Sequence, residues 1–213
     1  MTTDTVLDKE RWQRMCWRFG IHAQPSIDME FDRIVVAYGE PQRFYHTVQH
    51  INECLGLLDW LVEIQSMAPQ PLLEMGLWYH DVVYRPQASD NERCSADQAI
   101  EFLRAGKCQQ IEVIDSLIMA TCHLEDYAGT AKTQLSQWMV DIDLAILGAS
   151  PQRFTQYETQ IRQEYVWVPQ PLYRQKRQTV LMQFLNRPHI YQSPLFQQRF
   201  ESQARRNLSG IAG

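Results

Sequence analysis

Histidine and aspartate residues that could bind a metal ion occur in three short segments of the sequence. In chain order they are His46 and His50 in residues 43–55, His80 and Asp81 in residues 77–84, and Asp141 and Asp143 in residues 138–148. Imidazole nitrogens and carboxylate oxygens together form a ligand set that suits a catalytic divalent ion with positions open to water. The three segments taken together therefore predict a mixed nitrogen and oxygen metal site.

Each segment taken alone also has an explanation without a metal. On a helix, His46 and His50 would point from one face, and one of them could pack in the core while the other meets solvent. Asp81 lies in an apolar run, where an unpaired charge would cost several kcal/mol, so a buried arginine or histidine could be its partner. A helix N-terminus could hold Asp141 or Asp143. The joint occurrence of all three segments favours the metal.

The elements that must position these residues are predicted to be helices. Apolar residues recur at helical spacing, and capping residues, glycines and prolines mark the ends. The predicted helices run from Val6 to Gly20, Ser26 to Gly39, Tyr45 to Ile64, Leu72 to Tyr79, Asp90 to Gly106, Gln110 to Thr121 and Gln134 to Leu147, with further starts at Ser150-Pro151 and Ser193-Pro194. No run alternates apolar and polar residues as a sheet requires. We predict one all-α domain over residues 1–213, built as a helical bundle.

The composition of the chain argues against several classes of protein. The chain has 213 residues, 45% of them hydrophobic, which is typical of a globular domain rather than a disordered chain. Its net charge of -5 argues against a surface for nucleic acid polymers. The five cysteines include no CxxC pair, so we expect reduced thiols and neither disulfides nor a cysteine zinc site. Without a signal peptide or a membrane-spanning run, the expected location is cytoplasmic, with no membrane contact.

The order His, His-Asp, Asp resembles the H…HD…D signature of the HD-domain superfamily, an all-helical fold of metal-dependent phosphohydrolases. Further segments are HDVVYRP (80–86), DNERCSA (90–96), DIDLAILG (141–148), IRQEY (161–165), YRQKR (173–177) and ARRNL (204–208). Through these segments, most of the chain is also similar to an uncharacterised bacterial family of predicted HD-superfamily phosphohydrolases. The resemblance implies an HD-domain-like bundle whose metal ligands are His50, His80, Asp81 and Asp143. The segment IDL, residues 142–144, is similar to the surroundings of the superfamily's last aspartate, which favours Asp143 over Asp141 as ligand. Asp141 could then orient one of the metal ligands without binding the metal itself.

A second resemblance concerns the first segment. YHTVQH is similar to the YHNxxH segment of the cyclic-nucleotide phosphodiesterases, a branch of the same superfamily. In that branch the second histidine binds metal and the first donates a proton to the leaving oxygen. The resemblance therefore implies His46 as the general acid and His50 as a ligand, although Thr47 stands where that branch has asparagine.

Four further residues are candidates around this site. His123 is a candidate substrate contact. In some HD enzymes a histidine in this region serves a second metal, and His123 could instead cap a helix C-terminus. Glu92 could support a ligand histidine or simply favour a helix start. Arg162 and Arg177 match later segments of the similar family and could bind phosphate, although basic residues usually form a solvated helix face.

The resemblance implies hydrolysis of a phosphate ester by a water that the metal activates. We expect His46, Asp81 and Asp143 to act in catalysis on a small phosphorylated substrate, either a phosphomonoester or a phosphodiester. The expected cofactor is a divalent ion, one of Mn, Mg, Co, Ni, Fe or Zn. The alternative is a regulatory module that binds a nucleotide or metal without turnover. An oligomer is compatible with either function.

Overall fold

The structure, a computed structural model, describes residues 6–122 and 133–212. Within these residues every regular element is helical and none forms a β-strand, which confirms the predicted all-α class. In chain order the elements are α1 (Lys9–Arg18), α2 (Gln24–Tyr38), α3 (Val48–Ile64), α4 (Pro71–Tyr79), α5 (Asn91–Ala105), α6 (Ile111–Met119), α7 (Gln134–Asp143), a 3₁₀ helix (Leu144–Gly148), α8 (Pro151–Glu164), α9 (Gln170–Leu185), α10 (Pro194–Phe196), a π-helix (Gln197–Glu201) and α11 (Ser202–Ala212).

The chain forms two compact units, Met1–Met139 and Val140–Gly213. Helix α7 begins in the first unit and ends in the second. The single domain over residues 1–213 stays a prediction. None of the helices in the described part of the chain is long and apolar enough to cross a bilayer.

The first unit packs around α4, which contacts α1, α3, α5 and α6. Seven of its nine residues are buried, as expected for a short helix that is apolar on all sides. Gly76 lets its neighbours approach closely, because a Cβ there would lie 3.4 Å from Leu117 Cβ and from Met139 Sδ. The C-terminal end of α4, where His80 caps the helix, therefore lies inside the unit.

Three predicted helix starts were wrong, and the first is that of α1, which begins at Lys9 after the Asp8 cap rather than at Val6. Helix α2 is capped by Ala23 rather than Ser26, because Pro25 already occupies its first turn. Helix α3 begins at Val48, so His46 lies in the turn before it and does not share a helix face with His50. In that turn the Thr47 amide donates to the Tyr45 carbonyl at 2.8 Å, and Thr47 is extended (φ -121°, ψ -177°).

The second unit packs around the 3₁₀ helix, which contacts α8, α11 and the π-helix. Gly148 is closely surrounded, because a Cβ there would lie 2.7 Å from Phe200 Cβ and 2.8 Å from the Tyr191 hydroxyl. Asn207 Nδ2 donates to the carbonyls of Leu147 and Ala149 at 2.8 and 2.9 Å. The helix predicted to continue to Leu147 therefore tightens into a 3₁₀ helix after Asp143.

Candidate metal centre

Three side chains of the first unit bring potential ligand atoms together. His50 Nε2 lies 3.0 Å from His80 Nε2, and Asp81 Oδ2 lies 3.4 Å from the first and 3.1 Å from the second. The side chains of His50 and His80 are 2% and 1% exposed, and that of Asp81 is 16% exposed. The residues come from α3 and from the turn that ends α4. Two buried imidazoles and one carboxylate therefore face a common point.

These separations fit a single divalent ion. Nitrogen and oxygen ligands about 2.1 Å from an ion lie about 3.0 Å apart at right angles and about 3.4 Å apart at tetrahedral angles. His80 Nδ1 is 2.9 Å from the Leu77 carbonyl, and only a protonated Nδ1 can donate to it. In neutral His80 the lone pair therefore lies on Nε2, toward His50. Two imidazole nitrogens this close need a proton or a cation between them.

The charge environment of Asp81 suits the same function. Burial alone would raise the pKa of this carboxyl group, but electrostatic interactions with His80 and His46 and hydrogen bonds from His50 and His80 outweigh it. The pKa of Asp81 therefore lies well below its ordinary value. The carboxylate is ionised at neutral pH and can act as a metal ligand without first losing a proton.

Tyr38 fixes the backbone at this turn. Its hydroxyl donates to the Trp78 carbonyl and accepts from the Asp81 amide, both at 3.3 Å. The residue is 1% exposed, and burial raises the pKa of its hydroxyl to about 12, so the hydroxyl keeps its proton. The last turn of α4 and the Asp81 backbone are thus connected through one buried side chain.

His46 lies beside the three ligand candidates. Its ring stacks on Tyr84 with centroids 3.8 Å apart and planes 24° apart, and its centroid is 5.9 Å from that of His50. Tyr45 contacts it edge-on at 4.9 Å. These aromatic contacts restrict the ring orientation. A histidine beside the candidate ligands but not among them has the position that a proton donor would need, and that role stays a prediction.

Cys54 lies among the candidate ligands, although the cysteine spacing in the sequence predicted no metal site for it. Its Sγ lies 3.8 Å from both ring nitrogens of His50, and the ligand atoms of His50, Cys54 and His80 all lie within 4.8 Å of one another. All five cysteines are free thiols. The CxxC criterion did not find Cys54, but its position four residues after His50 on a helix could have. A His/Cys/His cluster beside Asp81 could therefore hold a metal ion.

The aspartates of the third segment belong to the second unit. Asp141 is fully buried and accepts from the Gln192 amide, the Ser193 amide and the Ser193 hydroxyl at 2.7, 2.7 and 2.6 Å. It thereby anchors the segment that leads into α10. Asp143 is half-buried and is the last residue of α7. Their roles as supporting residue and ligand stay predictions.

The two arginines predicted to bind substrate are both engaged within the second unit. Arg162 donates to the carbonyls of Tyr165 and Val168 at 2.6 and 3.1 Å, across the turn between α8 and α9. Arg177, with a side chain 13% exposed, donates to Glu158 at 3.2 Å and to the Tyr157 hydroxyl at 2.8 Å. Burial alone would lower the pKa of the Arg177 guanidinium, but its interactions with Tyr157 and Glu158 raise that pKa by a larger amount. The pKa therefore lies above its ordinary value, and Arg177 stays charged. Phosphate binding by either arginine stays a prediction.

Two candidates remain. Glu92 lies in the first turn of α5 in the first unit and is half-buried, and its supporting role stays a prediction. His123 lies outside the described residues.

Comparisons with protein-family models, with curated proteins and with solved structures gave no match to this chain. The similarity to the HD superfamily accordingly rests on the motif residues. The described residues form an all-α fold in which His50, Cys54 and His80 lie close enough together to hold a metal.

Proposed function

We propose that this protein is a metal-dependent phosphohydrolase. The observation that carries the proposal is the convergence of His50 Nε2, His80 Nε2 and Asp81 Oδ2, which lie 3.0, 3.1 and 3.4 Å apart. Buried imidazole nitrogens this close need either a shared proton or a cation between them, and a carboxylate beside them would offset the charge of a cation. This combination of ligand types is used for catalysis more than for structural metal sites, which favour four closed ligands.

In this proposal His50, His80 and Asp81 hold the ion, and Asp143 is the fourth ligand. A divalent ion at such a site acidifies a water molecule and offsets phosphate charge. Asp81 and Asp143 orient the attacking water through their carboxylate oxygens. His46, held by its stack on Tyr84, protonates the leaving oxygen of the ester.

The ligand types favour particular metals. Imidazole binds Mn, Fe, Co, Ni and Zn better than Mg, which prefers oxygen ligands and water. We therefore expect a transition metal at this site, with Mg as a weaker activator. The substrate is a small phosphate ester, either a monoester or a diester.

Metal content and turnover measured on the same samples test the proposal. The purified protein is analysed for metals, stripped with chelator and reloaded with Mn²⁺, Co²⁺, Ni²⁺, Zn²⁺ or Mg²⁺. Each form is assayed with p-nitrophenyl phosphate, bis(p-nitrophenyl) phosphate and a panel of nucleotides. We expect His50→Ala to lose metal and turnover. His22→Ala, which removes an exposed histidine of the same unit, should lose neither.

Two outcomes would contradict the proposal. Stoichiometric metal without turnover on any ester would favour the regulatory module that binds metal without catalysis. Absence of metal binding after reloading would exclude a metal-dependent function altogether.

A further inference from the structure

We propose that Arg43 is the positioning residue of this site. Its side chain connects the turn that bears His46 to the turn that bears Asp81, and this connection sets the affinity of the site for metal. The inference rests on the proposed function, because it assigns Arg43 a role in the same metal centre.

The contacts of Arg43 go to the backbone of both turns. Nη1 donates to the Asp81 carbonyl at 2.5 Å and to the His46 carbonyl at 3.3 Å. Nη2 donates to the Val82 carbonyl at 2.9 Å. Three carbonyl oxygens from two separate segments are therefore held by one guanidinium group.

The charge of Arg43 is buried but paired. The side chain is 0% exposed, and Nε donates to Glu40 Oε2 at 2.9 Å. An arginine can satisfy this arrangement because its planar fork presents five donors in fixed directions, whereas lysine has one nitrogen on a flexible chain. Lysine at this position could reach one of the two turns but could not hold both in the same geometry.

Two aromatic rings extend the connection to the functional side chains. The guanidinium carbon lies 5.4 Å from the Tyr38 ring centroid and 5.8 Å from that of Tyr84. Tyr38 accepts from the Asp81 amide, and Tyr84 stacks on His46. Arg43 thus contacts the turns of His46 and Asp81 both directly and through one ring on each side.

A purely structural arginine and a positioning arginine differ in what their loss changes. If Arg43 only stabilises the fold, a folded variant should keep its metal affinity, because the ligand atoms keep their separations. If Arg43 positions the turns, the folded variant should bind metal more weakly, because Asp81 Oδ2 no longer converges with the two Nε2 atoms. Outer partners of metal ligands typically change affinity by about 10–100-fold.

The test compares metal affinity at a temperature where circular dichroism shows every variant folded. Co²⁺ is titrated into chelator-stripped wild type, Arg43→Lys and Arg43→Ala. The matched control is Arg11→Lys, which loses a paired arginine of the same unit that binds Glu74 at 2.6 Å and Asp59 at 2.7 Å. We expect about 10–100-fold weaker Co²⁺ binding in both Arg43 variants. Arg11→Lys should melt at a lower temperature but keep wild-type affinity.

Chemical rescue provides the second measurement. Methylguanidinium at low millimolar concentration should restore Co²⁺ binding to Arg43→Ala, because the deletion leaves a space shaped for a guanidinium. It should not change Co²⁺ binding by wild type or by Arg11→Lys.

Wild-type Co²⁺ affinity in Arg43→Lys would overturn the inference, and this result remains decisive if Arg43→Ala does not fold. An equal loss of affinity in Arg43→Lys and Arg11→Lys would also overturn it, because the loss would then follow stability alone. If wild type itself binds no Co²⁺, the proposed function fails, and the inference fails with it.

Discussion

The two histidines of YHTVQH have different surroundings, although only three residues separate them. His50 points its Nε2 at His80 inside the first unit, whereas His46 lies in a turn with its ring against Tyr84. Burial of His50 next to another imidazole suits a metal ligand. The stacked ring of His46 suits proton transfer, because its orientation is restricted while its position remains outside the ligand set.

Replacing His46 should separate metal binding from turnover. We expect His46→Ala to keep its metal and to lose about 10²–10⁴ in rate, the usual contribution of a general acid. The loss should be smaller for p-nitrophenyl esters, whose leaving group scarcely needs a proton. Elemental analysis and rates on nitrophenyl and alkyl esters measure both quantities. Loss of metal would make His46 a ligand, and equal damage on all esters would argue against an acid.

Cys54 should change which metals the site prefers. A thiolate binds soft ions better than hard ones, so Cys54→Ala should weaken Cd²⁺ binding while Mn²⁺ binding stays unchanged. Near-ultraviolet absorption from a cadmium–thiolate bond should also disappear. The control is Cys16→Ala, since burial raises the pKa of the Cys16 thiol to about 12 and keeps it protonated. Cd²⁺ affinity equal to that of wild type would exclude Cys54 from the ligand set.

At the scale of elements, α4 places two of the candidate ligands. His80 and Asp81 lie at and just after its C-terminal end, and this position sets the directions of their side chains. Helix α4 is buried by α1, α3, α5 and α6. The residues that directly follow its last turn therefore lie in the interior of the first unit. His80 still has helical backbone angles at the end of α4, and Asp81 lies in the turn after it. The adjacent ligands can therefore approach His50 from different directions.

Helix α8 offers a direct test of a capping interaction. The Ser150 hydroxyl accepts from the Arg153 amide at 3.3 Å, before Pro151 in the first turn. Ser150→Ala should reduce the free energy of unfolding by about 1 kcal/mol. Thr155→Ala removes a hydroxyl of the same helix that donates to the Pro151 carbonyl, and should cost less than about 0.5 kcal/mol. Urea unfolding of both variants compares them, and equal losses would contradict the capping role.

At the scale of the whole molecule, the metal should stabilise the protein without being required for folding. The first unit has a large apolar core, which includes the fully buried side chains of Trp12, Trp78 and Tyr79. A core of this kind can support the fold when the metal is removed.

Thermal melting with and without metal tests this expectation. Chelated wild type should remain folded, and metal at about 100 times its dissociation constant should add about 2.7 kcal/mol. The melting temperature should then rise by about 5–10 °C for a chain of this length. Asp81→Asn should show no such rise. A chelated wild type that is unfolded would indicate a structural metal instead.

Gly148 allows a test of the predicted single domain. Gly148→Ala places a Cβ against Phe200 and the Tyr191 hydroxyl, and should cost about 1–3 kcal/mol. Gly210→Ala, where a Cβ meets no atom within 4 Å, should be neutral or stabilising. If residues 1–213 form one domain, calorimetry should show one transition, lowered as a whole by Gly148→Ala. Two transitions, of which only one shifts, would mean two domains.

The sequence by itself was sufficient for the helical class and for much of the helix layout. Apolar spacing and caps act within a few residues, so α4, α5 and the start of α8 could be predicted from local sequence. The apolar run around His80 and Asp81 also indicated buried polar groups that need a partner. The start of α3 was wrong because the turn at His46 depends on contacts that local spacing does not contain.

Tertiary structure decided which residues meet. Asp141 binds the Ser193 backbone 52 residues away, Arg43 binds carbonyls at Asp81 and Val82, and Cys54 lies beside the His50–His80 pair. None of these contacts follows from helical periodicity, because periodicity describes one element and these contacts depend on how several elements pack. The residue types in the sequence indicated a metal, and the packing of α3 and α4 determined that two imidazoles and a carboxylate face one point.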